Sequence, residues 1–478
     1  MYPEILLLLV KRWNMDDLNI DPLRSRVRIV YRSTSSHPGE SILYVMSRDM
    51  RVHDNHALLC AQKHALRAGV PLAVVFVLKK VLSSRSKEHY HWMIEHLKTL
   101  ESELQELGIA FMLLIGNPEE RLRGCVSHLK PEALYFDFSP LKGPQKLLRQ
   151  VGEIAGPSIY EVDTHNVVPV WLASNKQEVG ARTLRPKIHK LLGRFLQEPD
   201  RIVKHPCPWP GKVQSIDELR AKIDEVLSEL AESGQADLVG RYPVGEKAAM
   251  EHLRYFISGK FQSYAEDRNN PSLEGLSGLS PYLHFGALSS LRVAIEIGKA
   301  LSQNSSLQSS YDTLIEEMIV RKELSDNYCY FAPDYLSLEG APEWARTTLQ
   351  KHAPDPREFL YSREEFEKAK THDTAWNASQ LELVKTGKMH GYMRMYWAKK
   401  VLEWSTSPEE AIQILIYLND FYSIDGGDPN GYTGIMWSVA GVHDRPWGER
   451  PIYGTVRSMV YNGLKRKFDI RAYEQRWA

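Results

Sequence analysis

Two tryptophans seven residues apart, Trp397 and Trp404, stand in "GYMRMYWAKKVLEW" (Gly391–Trp404). At about 1.5 Å of helical rise per residue, their indoles share one helix face roughly 10 Å apart along the axis. A third, Trp376, lies upstream in "THDTAWNASQ". Indoles at helical spacing ordinarily serve as core, so these residues alone leave open whether the rings carry chemistry.

Four further stretches offer polar chemistry. In "SYAEDRNNPSLEGLSGLSPYLHFGALSS" (Ser263–Ser290) the small-residue turn Leu276, Ser277, Gly278, Leu279, Ser280 precedes a helix beyond Pro281. Its backbone N–H groups suit phosphate oxygens, and a plain loop-to-helix junction is the competing reading. "IEEMIVRKELSDN" (Ile315–Asn327) packs Glu316, Glu317, Arg321, Lys322, Glu323 and Asp326 into three turns. Such a run is either surface ion-pair lacing or a helix with one carboxylate turned into a pocket. "SIDGGDPNGYTGIMW" (Ser423–Trp437) resembles a calcium loop through Asp425, Asp428 and Asn430, but Met436 occupies the twelfth position. A bidentate Glu is needed there, so calcium is excluded; the Gly-rich loop still suits a close approach of backbone to ligand. The tail "HDRPWGERPIYGTVRSMVYNGLKRKFDIRAYEQRW" interleaves Arg with aromatics. That composition fits phosphate contacts with base stacking, or a basic terminal helix without ligand.

The elements that must position these residues fall into two kinds. From about 41 to 170, the runs "SILYVMS", "PLAVVFVL", "IAFMLLIG", "ALYFDFS" and "SIYEVD" are apolar on both faces and alternate with amphipathic helices such as "HYHWMIEHLKTLESELQELG". Burial on both faces is the mark of parallel strands between helices, so this part is read as a doubly wound α/β domain. No GxGxxG follows its first strand, which removes the usual dinucleotide fingerprint. Residues 171–245 read as a connector, with "KHPCPWPGKV" broken by three prolines and a charged helix after it. From about 246 to 478 the pattern is nearly all helical, a separate α-helical domain.

Bulk properties agree with this division. At 478 residues the chain exceeds one compact core. Lys plus Arg equals Asp plus Glu at 60 each, so net charge predicts no partner, and a nucleic-acid face must be a local patch. Four scattered cysteines form no CxxC pair, which argues against a zinc cage or disulfide framework and for a reduced, intracellular setting. No metal site is expected. The N-terminal "EILLLLV" is too short to span a bilayer and lacks signal-peptide flanks, so residues 1–40 are read as a poorly specified leader.

Four blocks taken in order, "MSRDMRVHDNHAL", "LSPYLHFGALSS", "THDTAWNASQLELVKTGKMHGYMRMYWAKKVLEW" and "LNDFYSIDGGDPNGYTGIMWSVAGVHDRPWGER", resemble the photolyase/cryptochrome flavoprotein family. The likeness is greatest to its class II cyclobutane pyrimidine dimer photolyases and spans about 42 to 473. The resemblance implies an α/β domain able to hold an antenna pigment of deazaflavin or folate type, and a helical domain binding FAD. Tyr264 and the run Leu276 to Ser280 would hold the FAD phosphates. Arg394 and Asp425 match the ion pair beside the flavin ring, and Asn419 would face flavin N5, with Asn430 a second candidate. Trp376, Trp397 and Trp404 match the tryptophans that reduce a photoexcited flavin. Glu317 would hydrogen-bond a flipped-out dimer between walls formed by Trp437 and Met395, while Arg445 and Arg457 enter the gap left in the duplex.

The implied activity is light-driven repair of DNA carrying such dimers, by a monomer of cytoplasmic, nuclear or organellar address. Two departures stand out: Arg321 occupies the place of a dimer-stacking Trp in some relatives, and Met50 stands where related classes often have Leu. The rival readings are a cryptochrome-type light sensor without repair, an enzyme acting on (6-4) photoproducts, and a cofactor-free nucleic-acid binder. Light-sensing members often carry a long C-terminal extension; the chain stops soon after "EQRWA", which is read as favouring the enzyme.

Overall fold

The computed structural model describes residues 21–33, 39–79, 84–153, 156–234 and 237–478. The apolar run "EILLLLV" lies outside them. Six strands form one sheet: β1 (Val27–Tyr31), β2 (Ile42–Met46), β3 (Leu72–Leu78), β4 (Ala110–Ile115), β5 (Ala133–Asp137) and β6 (Ser158–Val162). Their spatial order is β1-β6-β5-β2-β3-β4. All five runs expected as strands pair in parallel. The sheet as a whole is mixed, because β1 joins β6 antiparallel along the edge. Its five residues sit in the unspecified leader, where no periodicity marks them.

Alternation along each strand explains the apolar runs. Ile42, Tyr44 and Met46 of β2 pack with the helices His56–Ala68 and Lys87–Glu106, while Leu43 and Val45 pack with Pro118–Leu129 and Lys142–Gly152. With helices on both faces, neither side of a strand tolerates polar residues. Asn55 caps the first of these helices, its side chain accepting from Leu58 N at 2.9 Å.

The stretch 171–245 carries the helices Ala181–Phe195, Arg220–Ser228 and Leu238–Arg241, with irregular chain through the three prolines. Beyond it the structure is helical. A buried ion pair and an amide hydrogen bond fasten this part to the α/β part: Arg48 donates to both carboxylate oxygens of Asp326 at 2.7 and 2.9 Å, and Asn166 Nδ2 donates to the same carboxylate at 3.0 Å. The block "MSRDMRVHDNHAL" is thus explained by fastening and capping. Arg48 reaches the helical part, Asp49 receives Arg51 at 2.6 Å, and Asn55 starts a helix. Among the described residues no helix is long and apolar enough to cross a membrane.

Candidate functional site

The helix Gly391–Trp404 is buried almost all round, which places it at the centre of the helical part. The helix Thr374–Thr386 packs beside it, started by Asp373, whose side chain accepts from Trp376 N at 2.8 Å. Gly387, at φ +73°, ends that second helix. The Gly387 carbonyl accepts from Ile424 N at 2.8 Å, which ties this turn to the Ser423–Asp425 turn. That backbone bond sets Lys388 beside Asp425, and Arg394 approaches from the helix Gly391–Trp404.

Their contacts form a compact charged cluster. Lys388 Nζ donates to Asp425 and to Ser280 Oγ, and Ser423 Oγ donates to Asp425 at 2.5 Å. Arg394 donates to Asn419 Oδ1 at 2.9 Å and lies 3.9 Å from Asp425. The expected Arg394–Asp425 pair is therefore present but loose, and Lys388 is the tighter partner. Burial alone would push the Asp425 carboxyl up; Lys388 and Arg394 outweigh it and hold it well below the ordinary range. Lys388 and Arg394 share Asp425, and the buried Glu382 carboxyl also lies within electrostatic reach of both cations. The side chains of Lys388, Arg394 and Asp425 keep 16 to 27% exposure although they sit deep in the protein, so they face an internal opening.

The opening's other candidates are at hand. Ser280, beside Lys388, begins the short helix Ser280–His284. Gly278 has φ +68°, and a Cβ there would stand 2.8 Å from His252 Nε2, which faces the Ser277 carbonyl at 2.9 Å. Glycine is favoured at that turn, where a side chain would be strained by the positive φ and would crowd His252. Tyr264 is buried and Arg268 lies over its ring at 5.9 Å. Asn419 is buried, whereas Asn430 is exposed and turns its amide to Asp428 at 3.2 Å, which favours Asn419 as the inward-facing amide.

The three tryptophans form one series. Trp376 and Trp397 stack with centroids 6.4 Å apart at 12°, and Trp376 meets Trp404 edge-on at 6.3 Å. Trp376, on the neighbouring helix, therefore bridges the two rings spaced seven apart. Trp397 lies three residues beyond Arg394, so the series begins one helical turn from the charged cluster. All three are buried, Trp404 included. Tyr361 continues outward, its ring 5.7 Å from Trp404 and its hydroxyl 2.7 Å from Nδ1 of the exposed His372.

Glu317 lies in a π-helical turn, Glu316–Arg321, a bulge that helical patterning does not signal. It pairs with Arg268 at 3.0 Å and Arg321 at 3.2 Å, so the charge run is both lacing and a link toward Tyr264. Trp437 belongs to a second group, with Arg457 at 5.4 Å and Lys399 at 4.8 Å from its ring. Arg457 is held by Asp444 through bonds of 2.9 and 3.0 Å and lies 4.0 Å over Trp447, which Arg445 also faces at 5.2 Å. Met395 is half-buried beside Arg394. The basic tail divides in two. Arg445, Trp447 and Arg457 lie at the surface, whereas the terminal helix Ile470–Trp477 packs on Thr374–Thr386, with Tyr473 buried and its hydroxyl on Glu382 at 2.5 Å. Sequence reasoning missed Lys388, Asp420, Asp444 and Tyr361. Adjacency of Asp420 to Asn419 was the one signal available.

Two cavities lie elsewhere. One, about 850 Å³, opens at the carboxyl ends of the strands and is lined by Arg48, Lys79, Arg85, Asp137 and Tyr432. The chain order reverses there between β2 and β5, the position where open α/β sheets bind ligands. The other, about 1020 Å³, includes His53, Glu103 and Glu246 and none of the candidate flavin, tryptophan or DNA-contact residues. Burial and the neighbouring Glu246 push the Glu103 carboxyl up to about 8.

The family model for DNA photolyase matches residues 42–208. The deoxyribodipyrimidine photo-lyase of Oryza sativa subsp. japonica is 44% identical over 461 residues, covering 94% of this chain and 89% of that protein. The chain belongs to the DNA photolyase family. The photolyase of the same printed name from Potorous tridactylus is 41% identical over 95% of this chain and 84% of that protein. Among solved photolyase-family structures, a class III photolyase from Agrobacterium tumefaciens matches with TM-score 0.70 and 18% identity, covering 93% of this chain and 87% of that one. A Synechocystis cryptochrome matches with TM-score 0.68 and 16% identity, covering 93% and 89%. At those identities the two structures establish for this photolyase-family chain the two-part fold alone.

Proposed function

We propose that this chain is a deoxyribodipyrimidine photolyase that opens cyclobutane pyrimidine dimers in DNA, using light absorbed by a bound, reduced FAD. The observation that carries the reading is an inward-facing charged cluster of Lys388, Arg394 and Asp425 one helical turn from the series Trp397–Trp376–Trp404. Relatives 41 to 45% identical along most of the chain bear that enzyme's name.

The residues present fit FAD. Lys388 and Arg394 at the opening suit the negative charge of the reduced flavin, and the Gly278 turn suits phosphate oxygens close to backbone. Arg394, Asp425 and Asn419 would hold the ring, while Tyr264 and Leu276 to Ser280 would hold the phosphates. When bound, reduced FAD supplies the photochemistry, an excited-state electron that opens the cyclobutane ring and then returns. The chain binds, orients and excludes water. Glu317 would hydrogen-bond the extruded dimer, with Arg268 and Arg321 setting its direction. Met395 and Trp437 would wall the dimer, and Arg445 and Arg457 would fill the space that it leaves. The indole series would restore the reduced state by passing electrons inward from the Trp404 end. An antenna pigment of deazaflavin or folate type is assigned to the 850 Å³ crevice at the strand ends. Residues 41–170 and 246–478 are taken as the antenna-type and FAD-binding domains, with 171–245 between them.

The test is repair of a dimer-containing oligonucleotide by reduced protein, in near-ultraviolet or blue light and in darkness. Light-dependent return of intact thymines is expected. A flavin-loaded protein that leaves the dimers in both conditions overturns the proposal.

A further inference from the structure

Asn419 sits between two opposite charges. Its Oδ1 accepts from Arg394 at 2.9 Å, and its Nδ2 donates to Asp420 Oδ1 at 3.0 Å. A guanidinium has only donors and a carboxylate only acceptors, so these neighbours admit one sense of the amide. Reversal would set C=O against a carboxylate and NH₂ against a cation. Asp420 is itself fixed. Its Oδ1 also accepts from Gly427 N at 2.7 Å, and its Oδ2 accepts from Tyr432 OH at 2.8 Å. It is buried, so three donors replace the water it has lost. Space around the amide is tight as well: a Cβ on Gly431 would stand 2.8 Å from Asn419 Nδ2, and one on Gly426 would stand 2.8 Å from the Asp420 Cα.

We infer that Asp420 is a positioning residue that locks the sense of the Asn419 amide, and that Tyr432 makes this lock answerable to the strand-end crevice. The inference rests on the reading that Asn419 faces the flavin. Tyr432 and Asp420 both line the 850 Å³ crevice, so the path Tyr432–Asp420–Asn419–Arg394 joins that crevice to the charged cluster. A ligand that engages the Tyr432 hydroxyl would weaken its bond to Asp420 and loosen the amide. With the lock lost, only Arg394 holds the amide, which would be freer to turn its oxygen toward a protonated N5 and so favour the reduced flavin.

The experiment measures the one-electron reduction potential of bound flavin in wild type, Asp420→Asn, Asp420→Ala, Tyr432→Phe and Asn419→Leu, and in the double variant of Asn419→Leu with Asp420→Asn. Both Asp420 variants are expected to raise the potential, Asp420→Ala by about 59 mV, a tenfold shift in the one-electron equilibrium. Tyr432→Phe should raise it less. In the Asn419→Leu background, Asp420→Asn should add nothing, because Asp420 acts through that amide. A persisting shift there makes Asp420 a plain electrostatic influence and overturns the inference. So does an unchanged potential in both Asp420 variants when Asn419→Leu changes it. If Asn419→Leu itself leaves the potential unmoved, the placement of Asn419 beside the flavin fails first. Asp420→Asn keeps the shape and an acceptor, so it covers the case in which Asp420→Ala does not fold.

Discussion

The Trp376 and Trp397 indoles stack 6.4 Å apart between centroids, and Trp376 Nε1 donates to the Trp397 carbonyl at 3.0 Å. Trp376 is also the ring that meets Trp404. Removing it interrupts the series at its middle. Trp376→Phe is expected to slow photoreduction of oxidised flavin at least about tenfold, equivalent to about 1.4 kcal/mol of barrier. Trp397→Phe should act in the same direction. Repair by chemically pre-reduced protein should stay near wild type in both. Photoreduction at the wild-type rate, followed by flavin absorbance under illumination, would remove the redox assignment.

Glu317 is held by two arginines, so its carboxylate is directed. Glu317→Ala is expected to cut repair at least about tenfold, as loss of a hydrogen bond to a charged group costs about 1.5–3 kcal/mol. Flavin stoichiometry should change little. Parallel loss of repair and flavin would make Glu317 a structural residue.

Arg457 is clamped by Asp444 and stacked on Trp447. If its place is the gap in the duplex, Arg457→Ala weakens binding of dimer-containing duplex about tenfold, while single-stranded dimer, which leaves no gap, binds almost as before. Binding curves at one fixed salt concentration decide this. Equal weakening of both substrates would assign Arg457 to backbone phosphates instead.

Lys399 is fully buried beneath Trp437 and donates to the Ser438 carbonyl at 2.8 Å. Burial pushes its ammonium down from 10.5 to about 7, against the upward pull of Asp444 and with Arg457 adding to the lowering. Between those two values the unfolded chain binds more protons than the folded one, so through this group stability rises with pH. Below about 7 the folded protein carries the buried cation throughout. Lys399→Met is therefore expected to raise Tm most below neutrality, with the gain fading as pH climbs through that window. A Tm difference that does not vary with pH would refute the buried-cation account.

Local patterning carried much of this protein. Strands covered by helices on both faces must be apolar throughout, so five of six were legible as runs; β1, a short edge strand in the leader, was not. Helical spacing put Trp397 and Trp404 on one side of one helix, but a ring from another helix separates them, and only packing could decide that. The π-helical turn at Glu317 is a backbone irregularity that ordinary helix-forming residues do not announce.

The sequence by itself determined the residue types, the element boundaries set by caps and prolines, and the four ordered blocks that mark the family. Tertiary structure alone decided which charges meet. Lys388 reaches Asp425 because Gly387 and Ile424 share a backbone bond, and Arg48 reaches Asp326 across 278 positions. Periodicity is a property of neighbours along the chain. An ion pair is a property of neighbours in space, and burial decides how strongly it acts.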